Sequence, residues 1–199
     1  MQLSQSMIMV ETIGTTTDSQ YGVAVTAKIW ANFVLASNHA TSLRGCSSEL
    51  SSPEDRRRFH AIRSHAMAIV TGGQTYRGEF YQQTPVPLFV ASRDLSPSMK
   101  ELNPDATILA QPPIDVVTSA LKAHGDPVLI EGGARFIAPL LASSFIERLY
   151  LTRTDRVGDA HFYQIDLDLA GYLLVESESV AEERFEIWEL ADRNQDHAR

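Results

Sequence analysis

The sequence predicts an α/β fold, with a mostly parallel central sheet flanked by helices and an antiparallel edge at the C-terminal end. Three observations predict it. Short continuous apolar runs, AMAIVT at 66–71, PLFVA at 87–91 and VLI at 128–130, have the character of strands covered on both faces. Helical stretches fall between them, and strand–helix alternation builds a parallel sheet. The chain then closes on two alternating runs, Tyr172–Ser179 and Arg184–Leu190, around Ala181-Glu182-Glu183, the pattern of an antiparallel pair.

Taken in order, residues 1–21 are polar and read as a flexible N-terminal arm, with Met7–Val10 able to add an edge strand or a partner contact. Gly22–Trp30 alternates and is β-rich, so it reads as the first strand. Ala31–Cys46 shows no clear period and reads as a long loop, with room for a short strand at 33–36. Ser51-Ser52-Pro53-Glu54-Asp55 is a helix start: a hydroxyl cap, a proline in the first turn and acids near the positive dipole end. That helix is expected to reach about Ser64. A strand over 66–71 leads into Gly72-Gly73, and the strand over 87–91 ends in Ser92-Arg93. Asp94–Pro104 holds two prolines and reads as a loop, followed by a short strand at Thr107–Ala110. Ile114–His124 is an amphipathic helix stopped by Gly125. The strand 128–130 ends at Glu131, Gly132-Gly133 makes the turn, and a helix runs from about Ala134 to Ser143. Arg148–Arg153 reads as a strand and Asp155–Tyr163 as a loop. A single domain over 22–190 is expected, with a polar tail at 191–199.

Composition narrows the function. The chain has 199 residues, 44% of them hydrophobic, enough for one domain with a sizeable core. Its net charge is −8 and its basic residues are scattered, which argues against a nucleic-acid surface. No apolar run approaches the ~20 residues of a membrane span. Residues 1–20 lack the basic start and apolar core of a signal peptide. A cytoplasmic protein is the expectation. One cysteine, Cys46, excludes an internal disulfide, and six histidines show no ligand spacing, so no metal site is expected.

The chemistry concentrates at two strand–Gly-Gly–helix junctions, Gly72-Gly73 and Gly132-Gly133. Glycine permits backbone angles that other residues resist and leaves no side chain in the way. The helix that follows offers free N–H groups and a positive dipole end, a seat for phosphate. In such sheets ligands bind at the carboxyl ends of strands. Gly72, Ser92 and Glu131 each follow a predicted buried strand and should meet on one edge. A carboxylate there, Glu131, costs energy unless it is paired. Arg56, Arg57 and Arg58 read as a solvated helix face, Trp30 as core, and Tyr76 and Phe136 as packing residues near the groove.

In order, these motifs (a strand with TAK, SSPEDRRRFHAIR, AIVTGGQTYR, PLFVASR, VLIEGGARFIAPLL, IERLYLTRT and a late GDA) resemble the reductase domain of the bifunctional riboflavin-biosynthesis deaminase–reductase. That domain's fold is similar to dihydrofolate reductase. The resemblance spans about Val25 to Leu190, and the zinc-binding deaminase half has no counterpart in the sequence. It implies an NADPH-dependent reduction of a pyrimidine ribose phosphate to a ribityl chain, in a homodimer. By matching motif it implies that Gly132, Gly133, Ala134, Arg135 and Phe136 lie at the cofactor pyrophosphate. Thr75 and Ser92 would help hold the cofactor, while Ser47, Arg63 and Glu131 would contact the substrate. A guanidinium binds phosphate oxygens bidentately, and a strand-end carboxylate accepts from sugar hydroxyls or a ring N–H. The proton for the opened sugar comes from Glu131, Lys28 or a water, between which the residues do not choose, and Glu131 is the best catalytic candidate.

The sequence departs from the family in three places. Asn32-Phe33-Val34-Leu35 stands where relatives carry Ser-Leu-Asp-Gly. Glu49 stands for a tryptophan, and Gly78-Glu79-Phe80-Tyr81 begins where relatives have Asp-Pro-x-Leu-x-x-Arg. The cofactor half is thus better kept than the substrate half. Two other readings stay open: a nucleotide-binding protein of this fold without turnover, and a dihydrofolate or pterin reductase.

Overall fold

The computed structural model describes residues 28–191. The expected arm at 1–21, the first part of the predicted strand 22–30 and most of the polar tail lie outside the described residues.

Eight strands form one sheet: β1 (Ile29–Ala36), β2 (Ala68–Gly72), β3 (Leu88–Ala91), β4 (Thr107–Leu109), β5 (Val128–Glu131), β6 (Arg148–Thr154), β7 (Tyr172–Val180) and β8 (Glu183–Leu190). Their spatial order is β4-β3-β2-β5-β1-β6-β8-β7. The first six are parallel, and β8 and β7 join antiparallel at one edge, as expected. Five helices flank the sheet: α1 (Pro53–His65), α2 (Gly73–Gly78), α3 (Pro97–Leu102), α4 (Pro113–His124) and α5 (Ala134–Ala142).

Both faces are covered. On one, Ile29, Ala31, Phe33 and Leu35 of β1, with Val128 and Ile130 of β5, pack under Val116, Val117 and Ala120 of α4 and Ile137, Leu140 and Leu141 of α5. On the other, Trp30, Ile69, Val90 and Leu129 pack against Ile62 of α1, Tyr76 of α2 and Met99 of α3. Each fully buried aliphatic side chain contributes about 1.5–3 kcal/mol, so this double cover is what holds the short parallel strands.

Two elements differ from the sequence reading. The stretch read as a loop from Ala31 is strand as far as Ala36. It lies between β5 and β6 with nearly all of its residues buried, so the alternation that betrays a one-sided strand is absent. The stretch 94–104, read as a loop for its two prolines, contains α3. Pro97 opens that helix, where its missing N–H costs nothing, and Pro104 falls beyond its end.

Helix α1 is pinned at its start. The Ser52 hydroxyl accepts from the Glu54 and Asp55 amides, both at 3.1 Å, and Ser52 in turn donates its own N–H and O–H to the Glu183 carboxylate. The cap therefore ties the helix to the first residue of β8. Gly125, at φ +82°, stops α4 where an L side chain would be strained.

Candidate functional site

The carboxyl ends of β1, β2 and β5 open into a cleft of about 420 Å³. Register places Thr71 beside Glu131 on β2 and β5, and Asn32 of β1 on the other side of Glu131. Ala91 of β3 lies opposite Gly72, with Ser92 one residue on. The three strand exits do meet on one edge.

Three of the four junction glycines are there for close approach. Among the described residues only Gly45 and Gly125 are glycines at positive φ, so the unusual backbone angles expected at the junctions are not used. A Cβ at Gly72 would stand 3.0 Å from the Phe136 ring, and one at Gly132 3.2 Å from it. Phe136 thus packs across both turns. A Cβ at Gly73 would stand 2.6 Å from Ser92 Oγ. Ser92 lies behind Gly73, exchanging hydrogen bonds with Asp94, and is not in the cleft lining. Gly133 differs: at φ −72°, ψ 169°, a Cβ there would meet only Thr75 Oγ1, at 3.7 Å, and its face is open to the cleft.

Gly133 caps α5, and its N–H donates to Thr75 Oγ1 at 3.0 Å. The amides of Ala134 and Arg135 follow in the first turn, where a helix supplies no acceptor. Arg135 is exposed at the rim. Thr75, Gly133, Ala134 and Arg135 are therefore gathered at one point of the cleft.

The cleft floor holds a buried ion pair that the sequence did not announce. Arg63 at the end of α1 and Glu131 at the end of β5 form a two-pronged bond, Nε to Oε1 at 2.7 Å and Nη2 to Oε2 at 2.6 Å. Both residues are buried. Tyr81 donates to Glu131 Oε2 at 2.9 Å, and the Arg63 guanidinium lies 4.2 Å from the Phe59 ring centroid. Burial pulls the Arg63 pKa down, but its hydrogen bonds and charge contact with Glu131 more than reverse this and hold it above the usual value. Burial first, then the Glu131 charge, raise the Tyr81 hydroxyl well above its ordinary range, so it stays a donor. Two residues expected to reach for substrate are thus joined to each other.

Ser47 lies in the lining with its N–H donated to Glu79 Oε1 at 2.7 Å, and Cys46 Sγ lies 2.9 Å from Glu79 Oε2. Glu79 thus anchors Cys46 and Ser47 at the cleft wall. Burial and the Glu79 bond raise the Cys46 pKa, which keeps this thiol protonated. Lys28 sits at the amino end of β1 beside Asp126, outside the lining, which removes it as a proton source.

Two cleft residues escaped the sequence reading. Tyr81 carries no local signal for its role. Asp55, read only as a helix-start acid, faces the cleft wall and accepts from Thr152 Oγ1 at 2.6 Å. Among the described residues no helix is long and apolar enough to cross a membrane, and no three His, Cys, Asp or Glu side chains gather as a metal site.

Residues 39–154 match the family model of the RibD C-terminal domain. A pyrimidine reductase-like protein from Corynebacterium diphtheriae superposes with a TM-score of 0.65 at 16% identity, over 83% of this chain and 92% of that one. A diaminohydroxyphosphoribosylaminopyrimidine deaminase/5-amino-6-(5-phosphoribosylamino)uracil reductase from Thermotoga maritima superposes with a TM-score of 0.65 at 11% identity, over 83% of this chain and 57% of that one. At these identities the likeness concerns the fold. No curated protein sequence matches.

Proposed function

From the premise that this chain belongs to the RibD C-terminal domain family, we propose that it is an NADPH-dependent reductase of a small heterocyclic or ribosyl-phosphate substrate. The observation that carries this reading is the open face at Gly133. Of the four junction glycines, it alone has no side chain packed into the place of its missing Cβ. That space, with the first-turn amides of α5, fits a pyrophosphate. Thr75 would orient the turn, and Arg135 would bring a guanidinium to the rim.

Bound NADPH supplies the hydride. The chain's own residues bind and orient. Phe136 closes both glycine turns, which fixes the start of α5 relative to β2 and β5. The Arg63–Glu131–Tyr81 network fixes the ends of α1 and β5 across the cleft floor. Glu131 already accepts three hydrogen bonds, so its part is to hold this floor in register, while protonation of the product falls to water entering the cleft. Holding the reacting atoms in register is the main contribution a protein makes to hydride transfer.

NADPH is expected to bind more tightly than NADH, because Thr75, Arg77, Ser92 and Arg93 cluster near the exits of β2 and β3. The structure tempers the margin, since Arg77 lies 3.5 Å from Asp94 and Ser92 bonds to the same residue. A preference of roughly tenfold fits one charge-assisted contact. Calorimetric titration with both cofactors checks it, and equal affinities would remove the claim.

A homodimer is also proposed. Edge strand β7 exposes Leu173, Leu174 and Val175, apolar area that a second copy would cover. Light scattering at micromolar concentration should report twice the chain mass, and a monomer would contradict the proposal.

A further inference from the structure

We propose that Arg56 is the arginine that meets the substrate's anionic group, and that this group is a phosphate monoester. The inference rests on the reductase reading above. Of the two substrate classes named there, it selects the ribosyl phosphate.

Three arginines line the cleft: Arg56, Arg63 and Arg135. Arg63 is committed to Glu131 by a two-pronged bond between two buried residues. Its fork is closed to a second anion, although its motif alone points there. Arg135 stands in the first turn of α5, at the proposed cofactor seat. Arg56 is left. With Arg57 and Arg58 it reads from the sequence as a solvated helix face, yet of the three only Arg56 lines the cleft.

The Arg56 guanidinium lies 5.2 Å from the Phe59 ring centroid, and the Arg63 guanidinium lies 4.2 Å from the same centroid. One ring thus carries two cations, of which only Arg63 has its counter-charge. Among the described residues no ion pair and no side-chain hydrogen bond reaches the Arg56 guanidinium. The nearby carboxylates are turned elsewhere. Glu54 pairs with Arg57 and Arg58. Asp55 is the adjacent residue, but successive helical side chains point about 100° apart, and Asp55 is directed to Thr152 on β6. Glu79 is held by Cys46 and Ser47. Contact with an aromatic face places a guanidinium without using its N–H donors. A fork held in this way, with its donors free, matches two oxygens of a phosphate. Ser51 lines the same cleft just before α1, and its hydroxyl, which makes no hydrogen bond among the described residues, adds a neutral donor.

The test is calorimetric titration of the folded protein at saturating NADPH, with ribose 5-phosphate, ribose and ribonate as probes. The wild type is expected to bind ribose 5-phosphate at least tenfold more tightly than ribose or ribonate. Arg56→Gln is expected to keep the wild-type melt and NADPH affinity and to lose at least tenfold for ribose 5-phosphate. Arg56→Lys, which keeps the charge without the fork, should fall between, and it decides the assignment if Arg56→Gln fails to fold. A folded Arg56 variant with unchanged ribose 5-phosphate affinity, ribose or ribonate bound as tightly by the wild type, or no binding of ribose 5-phosphate would each overturn the proposal. Absence of NADPH binding by the wild type is a separate result that defeats the reductase reading, and the same titrations without cofactor then still decide the role of Arg56.

Discussion

Arg63→Ala is expected to destabilise the protein by about 3–5 kcal/mol, because it strands the buried Glu131 carboxylate without its counter-charge. Glu131 is 3% exposed and cannot turn to water without unmaking the end of β5. Tyr81 alone would remain as its donor, and one neutral hydroxyl does not offset a lost guanidinium fork. Against a typical total of about 5–15 kcal/mol, the loss is large enough to read directly from urea unfolding. Arg63→Lys keeps the charge but not the fork and should fall between. If Arg63 stood free to meet substrate, as its motif alone implies, its removal would change stability by less than about 1 kcal/mol. The size of the effect therefore separates a residue that holds the cleft floor from one that waits for a ligand.

That distinction was out of reach from the sequence, for a reason that lies in the topology. Arg63 and Glu131 are 68 positions apart, and Asp55 and Thr152 are 97 apart. They meet because β5 inserts between β2 and β1 and because β6 takes the other side of β1, and strand order is not a local property of the chain. Local signals did suffice for the apolar strands, for the Ser52–Pro53 cap and for the two glycine junctions, since each depends on residues within one or two turns of backbone. The glycines were located correctly, and of the two reasons given for them, backbone freedom and the lack of a side chain in the way, it is the second that holds at three of the four: Gly72, Gly73 and Gly132 make room for the side chains of Phe136 and Ser92. Such packing partners lie across the sheet edge and leave no mark in a short window. Strand β1 was shortened in the reading because its two buried faces conceal the alternation that marks an exposed sheet.

Gly133→Val is expected to abolish NADPH binding while changing stability by about 1 kcal/mol or less. The backbone at Gly133 is extended and suits valine, and a Cβ there would meet only Thr75 Oγ1 at ordinary contact distance. Two methyl groups would instead project into the one open face of the turn, where the cofactor's phosphates must come within hydrogen-bonding distance of the backbone. Gly73→Ala makes a useful contrast, because its new Cβ would press on Ser92 and so cost stability away from the proposed seat.

Fluorescence titration of NADPH into Gly133→Val, with a thermal melt on the same preparation, tests the cofactor seat most directly. The seat at the start of α5 predicts a melt near that of the wild type together with complete loss of binding. A folded variant with unchanged NADPH affinity would contradict it.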